Sequence, residues 1–140
     1  MNNSMRLEFD SLSQNEQFAR SVIAAFILPL NPSLDELGDV KTAVSEAVTN
    51  AVIHGYSGGE GTVIMEAELC GRTLTVTVAD SGRGIDDIEK ARKPLYSGCP
   101  EQERSGMGFT IMESFMDEVR VKSESGRGTA VTMVKTIGVI

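Results

Sequence analysis

The sequence predicts an α+β fold, a two-layer sandwich of a mixed, mostly antiparallel sheet with helices on one face. Three observations predict it. Two long segments carry apolar residues at helical spacing. Four short segments alternate apolar and polar residues, and they come in pairs joined by glycine turns. The order is one strand, two helices, two strands, a loop with a short helical piece, one helix and two strands. Strands paired as hairpins with helices on one face favour this sandwich over a doubly wound parallel sheet.

Each element has a local cause. Met5, Leu7 and Phe9 alternate with charged Arg6 and Glu8, which predicts a short first strand. Ser13 and Glu16 have capping-box spacing and open a helix to about Leu28, with Phe18, Val22, Ala25 and Phe26 on one face; Pro29 and Pro32 end it. Ser33 and Glu36 repeat the box. The helix that follows should run to about His54, where Gly55 stops it, along the stripe Leu34, Leu37, Val40, Val44, Val48, Ala51 and Val52. Val63, Met65, Ala67 and Leu69 predict one strand, and Leu74, Val76 and Val78 its hairpin partner across Gly71. From Ser81 to Gly108 glycines and prolines break the pattern, apart from a short helical piece near Asp87 to Arg92. A loose stretch of this length in a small domain is usually functional or mobile. A helix over Met107 to Phe115 and strands over Val119 to Ser123 and Thr129 to Val134 complete the chain.

The chain has 140 residues and 41% apolar content, enough for one domain with one core. Thirteen basic against twenty acidic residues give a net charge of -7, which speaks against nucleic-acid binding; any phosphate must be gripped locally. Cys70 and Cys99 form neither a disulfide framework nor a zinc motif, and a reducing cytoplasm fits. The N-terminus lacks the pattern of a leader, and the longest apolar stretch, Val22 to Leu30, is too short to span a bilayer. The expectation is a soluble cytoplasmic protein with no membrane contact.

Four constellations could carry chemistry. Glu46, Asn50 and His54 are spaced four residues apart, so they stack on one helix face. Such a stripe can be merely solvated. Here, though, it lies among Ala43, Val44, Ala47, Val48, Ala51, Val52 and Ile53, a setting that suggests a lined pocket. Asn50 offers a neutral oxygen suited to Mg2+, and Glu46 could hold a proton. His54 could equally close the helix end. In the second, Asp80-Ser81-Gly82-Arg83-Gly84 follows a strand; the glycines let backbone approach a flat ligand, and Asp80 could accept from an exocyclic amino group such as adenine's. The third, Arg104-Ser105-Gly106-Met107-Gly108, precedes a helix, where orphan amides and a guanidinium suit phosphate. The last, Gly126-Arg127-Gly128-Thr129, reads alone as a hairpin turn. Each of these also has an ordinary reading as a turn.

Taken in order, they resemble the ATPase fold shared by gyrase, the Hsp90 chaperone, histidine kinases and the MutL repair protein, often called the Bergerat fold. Glu46-x-x-x-Asn50 matches its N box, Asp80-x-Gly82-x-Gly84 and Gly106-x-Gly108 its glycine boxes, and Gly126-x-Gly128-Thr129 its last motif. Within that group the chain is similar, almost end to end, to the anti-sigma factor serine kinases of sporulation. The match rests on Leu12 to Glu16, Phe18-Ala19-Arg20, Ser45 to Ala51, His54-Gly55-Tyr56 and Glu103 to Glu113. The resemblance implies a single kinase domain over 1–140 with a lid at about 86–105. It implies ATP with Mg2+, a homodimer, a sigma factor held inactive and an antagonist phosphorylated on serine. It gives Asn50 to Mg2+, Glu46 to the general base and Arg104 to the γ-phosphate. Asp80, with Thr129 nearby, reads the adenine; Ser105, Gly106, Met107 and Gly108 hold phosphates; Gly82, Gly84 and His54 line the nucleotide site; Arg20 meets the sigma factor. A nucleotide sensor without transfer and a sister kinase of a stress sigma factor are the alternatives. A histidine kinase core is disfavoured, since the sole histidine lies in the N-box helix.

Overall fold

The structure, a computed structural model, describes residues 2–56, 60–82, 108–124 and 126–138. Strand β1 spans Asn2–Asp10, helix α1 Asn15–Ile27, helix α2 Leu34–Asn50, β2 Thr62–Cys70, β3 Thr73–Asp80, helix α3 Gly108–Phe115, β4 Glu118–Glu124 and β5 Gly128–Thr136. The expected stretch 86–105 and its short helical piece lie outside the described residues.

The strands form one sheet in the order β1-β2-β3-β5-β4, and all four pairings are antiparallel. Chain order and sheet order part company at one place. After β3 the chain passes through α3 to the edge strand β4, and β5 returns to fill the position beside β3. That return puts Asp80, the last residue of β3, opposite Thr129 at the start of β5.

Alternation assigns the two faces. Phe9, Val63, Met65, Ala67, Leu69, Leu74, Val76, Val78, Val131 and Met133 turn inward and are buried. The outward face is lined on its central strands by threonines, whose hydroxyls pair across strands: Thr77 with Thr132 at 3.0 Å and Thr73 with Thr136 at 3.4 Å. Helix α2 lies on the inner face between α1 and α3. Its Val40, Ala43, Val44, Ala47 and Val48 join Ile23, Ile27, Met112 and Met133 in one core. Fully burying a side chain of this size typically stabilises by about 1.5–3 kcal/mol.

The second capping box forms as expected. Ser33 Oγ accepts from the Glu36 amide at 3.0 Å, and Glu36 Oε1 accepts from the Ser33 amide at 2.9 Å. The first does not. Helix α1 is preceded by Gln14 with no side-chain cap. The Glu16 carboxylate instead accepts from Ser45 on α2 and pairs with Arg20 at 3.7 Å. A partner on the neighbouring helix has displaced the local one. The buried face of α1 is also turned from the expected one: Ala19, Ile23 and Ile27 are buried, while Phe18 is 48% exposed. Phe18 stays at the rim because its ring meets Phe9 edge-on, with centroids 6.5 Å apart. Leu34, expected in the apolar stripe of α2, is 88% exposed in the first helical turn, beyond the reach of the core.

Candidate nucleotide site

One end of the sheet collects the sequence motifs. Helix α2 delivers Glu46 and Asn50, both half-buried, on the face away from Val44 and Val48. Past Asn50 the helix widens into a π turn over Ala51–Gly55, closed by the Tyr56 amide bonding to the Ala51 carbonyl at 3.2 Å. The expected helix to His54 is thus helical to that point with a changed last turn. The backbone of His54 lies in the π turn; its side chain is outside the described residues. π turns of this kind are frequent at functional sites.

Gly108 begins α3 directly against this face. A Cβ there would lie 3.2 Å from Asn50 Oδ1 and 3.4 Å from both Asn50 Nδ2 and Glu46 Oε2. A side chain there would press on Asn50 Oδ1 by a few tenths of an ångström, so glycine lets the start of α3 come this close without crowding. The first amides of a helix have no intrahelical partner and point outward toward an anion. The second glycine motif and the N box, 58 positions apart at Asn50 and Gly108, therefore meet. Asn50 Nδ2 is buried with no hydrogen-bond partner among the described residues. A buried amide donor left unpaired is costly and therefore uncommon, and it points to a ligand group at this place.

Asp80 ends β3. Its Oδ1 accepts from the Gly82 amide at 2.9 Å. Burial pushes its carboxyl above the ordinary value, and the Gly82 and Thr129 amides pull partly back. Gly128 has φ +112°, and a Cβ on it would overlap the Asp80 carbonyl. What reads as a hairpin glycine is thus also the residue that allows β5 to start against Asp80. Thr129 then stands opposite Asp80, its hydroxyl 2.8 Å from Ser123 Oγ.

Tyr56 joins the two groups, a role that its place in His54-Gly55-Tyr56 does not reveal. Its hydroxyl accepts from the Ser81 amide at 2.7 Å and donates to the Thr62 carbonyl at 2.8 Å. Gly61 sits under its ring, where a Cβ would overlap. The end of the α2 segment is thereby tied to the residue after Asp80. The signal was an aromatic residue directly after a helix-ending glycine, but its partners are set only by the fold. Arg20 lies on α1, half-buried and paired with Glu16. The structure thus brings Glu46, Asn50 and Gly108 together, and Asp80, Gly82 and Thr129 together. Gly84, Arg104, Ser105, Gly106 and Met107 lie outside the described residues.

This sheet, with an amide-bearing helix and a helix N-terminus at one end, defines the class. Residues 9–135 match the histidine kinase-like ATPase domain family, to which the chain belongs; the ligand this class implies is ATP. Curated relatives narrow it. The chain is 59% identical over 133 residues to an anti-sigma F factor of Clostridium kluyveri, covering 95% of this chain and 94% of the relative. It is 54% identical over 139 residues to that of Clostridium botulinum, covering 99% and 97%. It is 56% identical over 136 residues to that of Clostridium perfringens, covering 96% and 97%. Within the ATPase class, the chain is a member of the anti-sigma F factor family. The fold is also that of the crystal structure of the RsbU and RsbW domains of Rv1364c from Mycobacterium tuberculosis, with TM-score 0.70 and 20% identity; the match covers 96% of this chain and 32% of that one. Among the described residues no helix is long and apolar enough to cross a membrane.

Proposed function

We propose that the chain is an ATP-dependent protein-serine kinase and an anti-sigma factor. In this reading it is a cytoplasmic homodimer that holds a sigma factor of the sigma F type inactive and phosphorylates a serine of the anti-anti-sigma antagonist. One observation carries the kinase reading: the start of α3 rests on Glu46 and Asn50. Helix-terminal amides for phosphate thus stand beside a carboxylate that nucleotide holding alone does not need.

In the proposed reaction the antagonist's serine oxygen attacks the γ-phosphorus of ATP. The new phosphorus–oxygen bond forms as the β,γ-bridging bond breaks, and ADP leaves. Glu46 takes the serine proton, a contribution typically of about 10²–10⁴-fold for a placed base. The α3 amides hold phosphate oxygens, and Asp80 accepts from the adenine amino group. Arg104 enters on its sequence position alone and balances charge on the γ-phosphate. Mg2+ fits the donor set, since a hard cation that keeps its waters asks for one or two protein oxygens beside phosphate. Asn50 would hold it through its side-chain oxygen, while the unpartnered Nδ2 beside it suits an acceptor oxygen of the nucleotide; when bound, the ion supplies charge neutralisation on the phosphates. Arg20 is assigned to the sigma factor.

The test is a pull-down with the purified chain, the sigma factor and the antagonist, first in ATP and then in ADP. The expected result is sigma factor retained in ATP, a phosphorylated antagonist released, and unphosphorylated antagonist retained in ADP. Equal retention of both partners in the two nucleotides would contradict it.

A further inference from the structure

Near Asp80 lies a hydroxyl pair that the proposed reaction leaves unused. Ser123 on β4 and Thr129 on β5 are cross-strand partners with hydroxyl oxygens 2.8 Å apart. Ser123 Oγ also lies 3.1 Å from the Gly128 carbonyl oxygen. A carbonyl oxygen only accepts, and a serine hydroxyl carries one proton. Both contacts are hydrogen bonds at once in one arrangement only: Ser123 donates to Gly128, and Thr129 donates to Ser123. The Thr129 proton then points toward β4. Asp80, the partner of Thr129 on the other side, then receives no proton from the Thr129 hydroxyl.

The start of β5 favours this arrangement. Gly128, with φ +112° and the Asp80 carbonyl where a Cβ would be, fixes how β5 begins. Ser123 is half-buried on the inner face, so its hydroxyl is drawn toward protein partners rather than bulk water.

We propose that Ser123 is a specificity-determining residue: by holding the Thr129 proton it keeps the Asp80–Thr129 pair acceptor-only and so selects a 6-amino purine over a 6-oxo purine. The inference rests on the reading of Asp80 as the base-reading residue. An adenine brings amino protons to two acceptors. Hypoxanthine or guanine brings a carbonyl oxygen to the same two acceptors, leaving acceptors facing one another without a proton between them. Sites built to pair with a substrate N–H discriminate strongly for this reason. Asp80 supplies part of the discrimination by its charge. Ser123 supplies the rest indirectly, because a Thr129 hydroxyl released from it can rotate and donate to the 6-oxo group.

The experiment measures affinities for ATP and for inosine triphosphate, which differ at position 6, by titration calorimetry. The chains are wild type, Ser123→Ala, Ser123→Thr, Asp80→Ala, and Ser123→Ala in a Thr129→Val background. The expected result is a preference for ATP that drops by about tenfold in Ser123→Ala, through tighter inosine triphosphate binding. Ser123→Thr keeps the preference, and Ser123→Ala changes nothing once Thr129 is valine. If Ser123→Ala weakens both nucleotides equally while Asp80→Ala removes the preference, the role of Ser123 is overturned and the base reading stands. If Asp80→Ala leaves the preference intact, the base reading itself fails, and this inference with it.

Discussion

Gly108 and Asp80 show how single residues set the chemistry of this site. A methyl group on Gly108 would press on Asn50 and Glu46 at 3.2–3.4 Å, tighter than most real contacts allow at the lower end. Gly108→Ala is expected to weaken ATP binding by about tenfold or more in calorimetry, with the circular dichroism of the fold preserved, because the crowding falls on the ligand face. Asp80 has the opposite character. Its carboxyl is raised by burial, so over the window above the ordinary carboxylate value the folded chain keeps a proton that the unfolded chain has lost. Stability contributed by this group therefore falls as pH rises through that window. Asp80→Asn removes this dependence. The nucleotide-free protein should melt no lower than wild type near neutral pH, while ATP affinity falls. Equal affinity in the two proteins would count against Asp80 as the adenine reader.

At the scale of elements, α2 links stability to function. Its N-terminus carries the Ser33–Glu36 box, and Glu36 Oε2 also accepts from the Gly138 amide at 2.8 Å, fastening the helix to the segment after β5. The Ser33 and Gly138 amides hold the Glu36 carboxyl below its ordinary value. Here the folded chain has released a proton that the unfolded chain still holds, so this stability is present above the ordinary glutamate value and is lost as pH falls below it. Ser33→Ala should cost about 1 kcal/mol in chemical denaturation, the usual loss of a cap. ATP affinity should stay within about twofold, since the box is at the far end of the helix from Asn50. The helices and hairpins were legible because capping residues and apolar periodicity act over a few neighbours. The box at Ser13 was misread because Glu16 had a stronger option on another helix, Ser45, invisible to local spacing. The face of α1 was misread for a related reason: Phe18 looks like a core residue until Phe9 is found holding it at the rim.

Across the whole molecule, the strand order turns separate motifs into a site. Asp80 and Thr129 are 49 positions apart and become neighbours because β5 inserts between β3 and β4. Motif order suggested one pocket, but the crossover that unites its base end is a property of the sheet. The roles of Tyr56 and Ser123 are not legible in sequence, since they depend on partners in other elements: Thr62 and Ser81 for one, Gly128 and Thr129 for the other. The same architecture places Glu46 beside the start of α3, and on that proximity the kinase reading stands. The most direct measurement is transfer of labelled γ-phosphate to the antagonist by wild type and by Glu46→Gln, with ATP affinity measured on the same preparations. The expected result is affinities within about threefold of each other and a transfer rate at least about a hundredfold lower in the variant. Transfer at the wild-type rate by Glu46→Gln, or no transfer by a wild type that binds ATP, would contradict it.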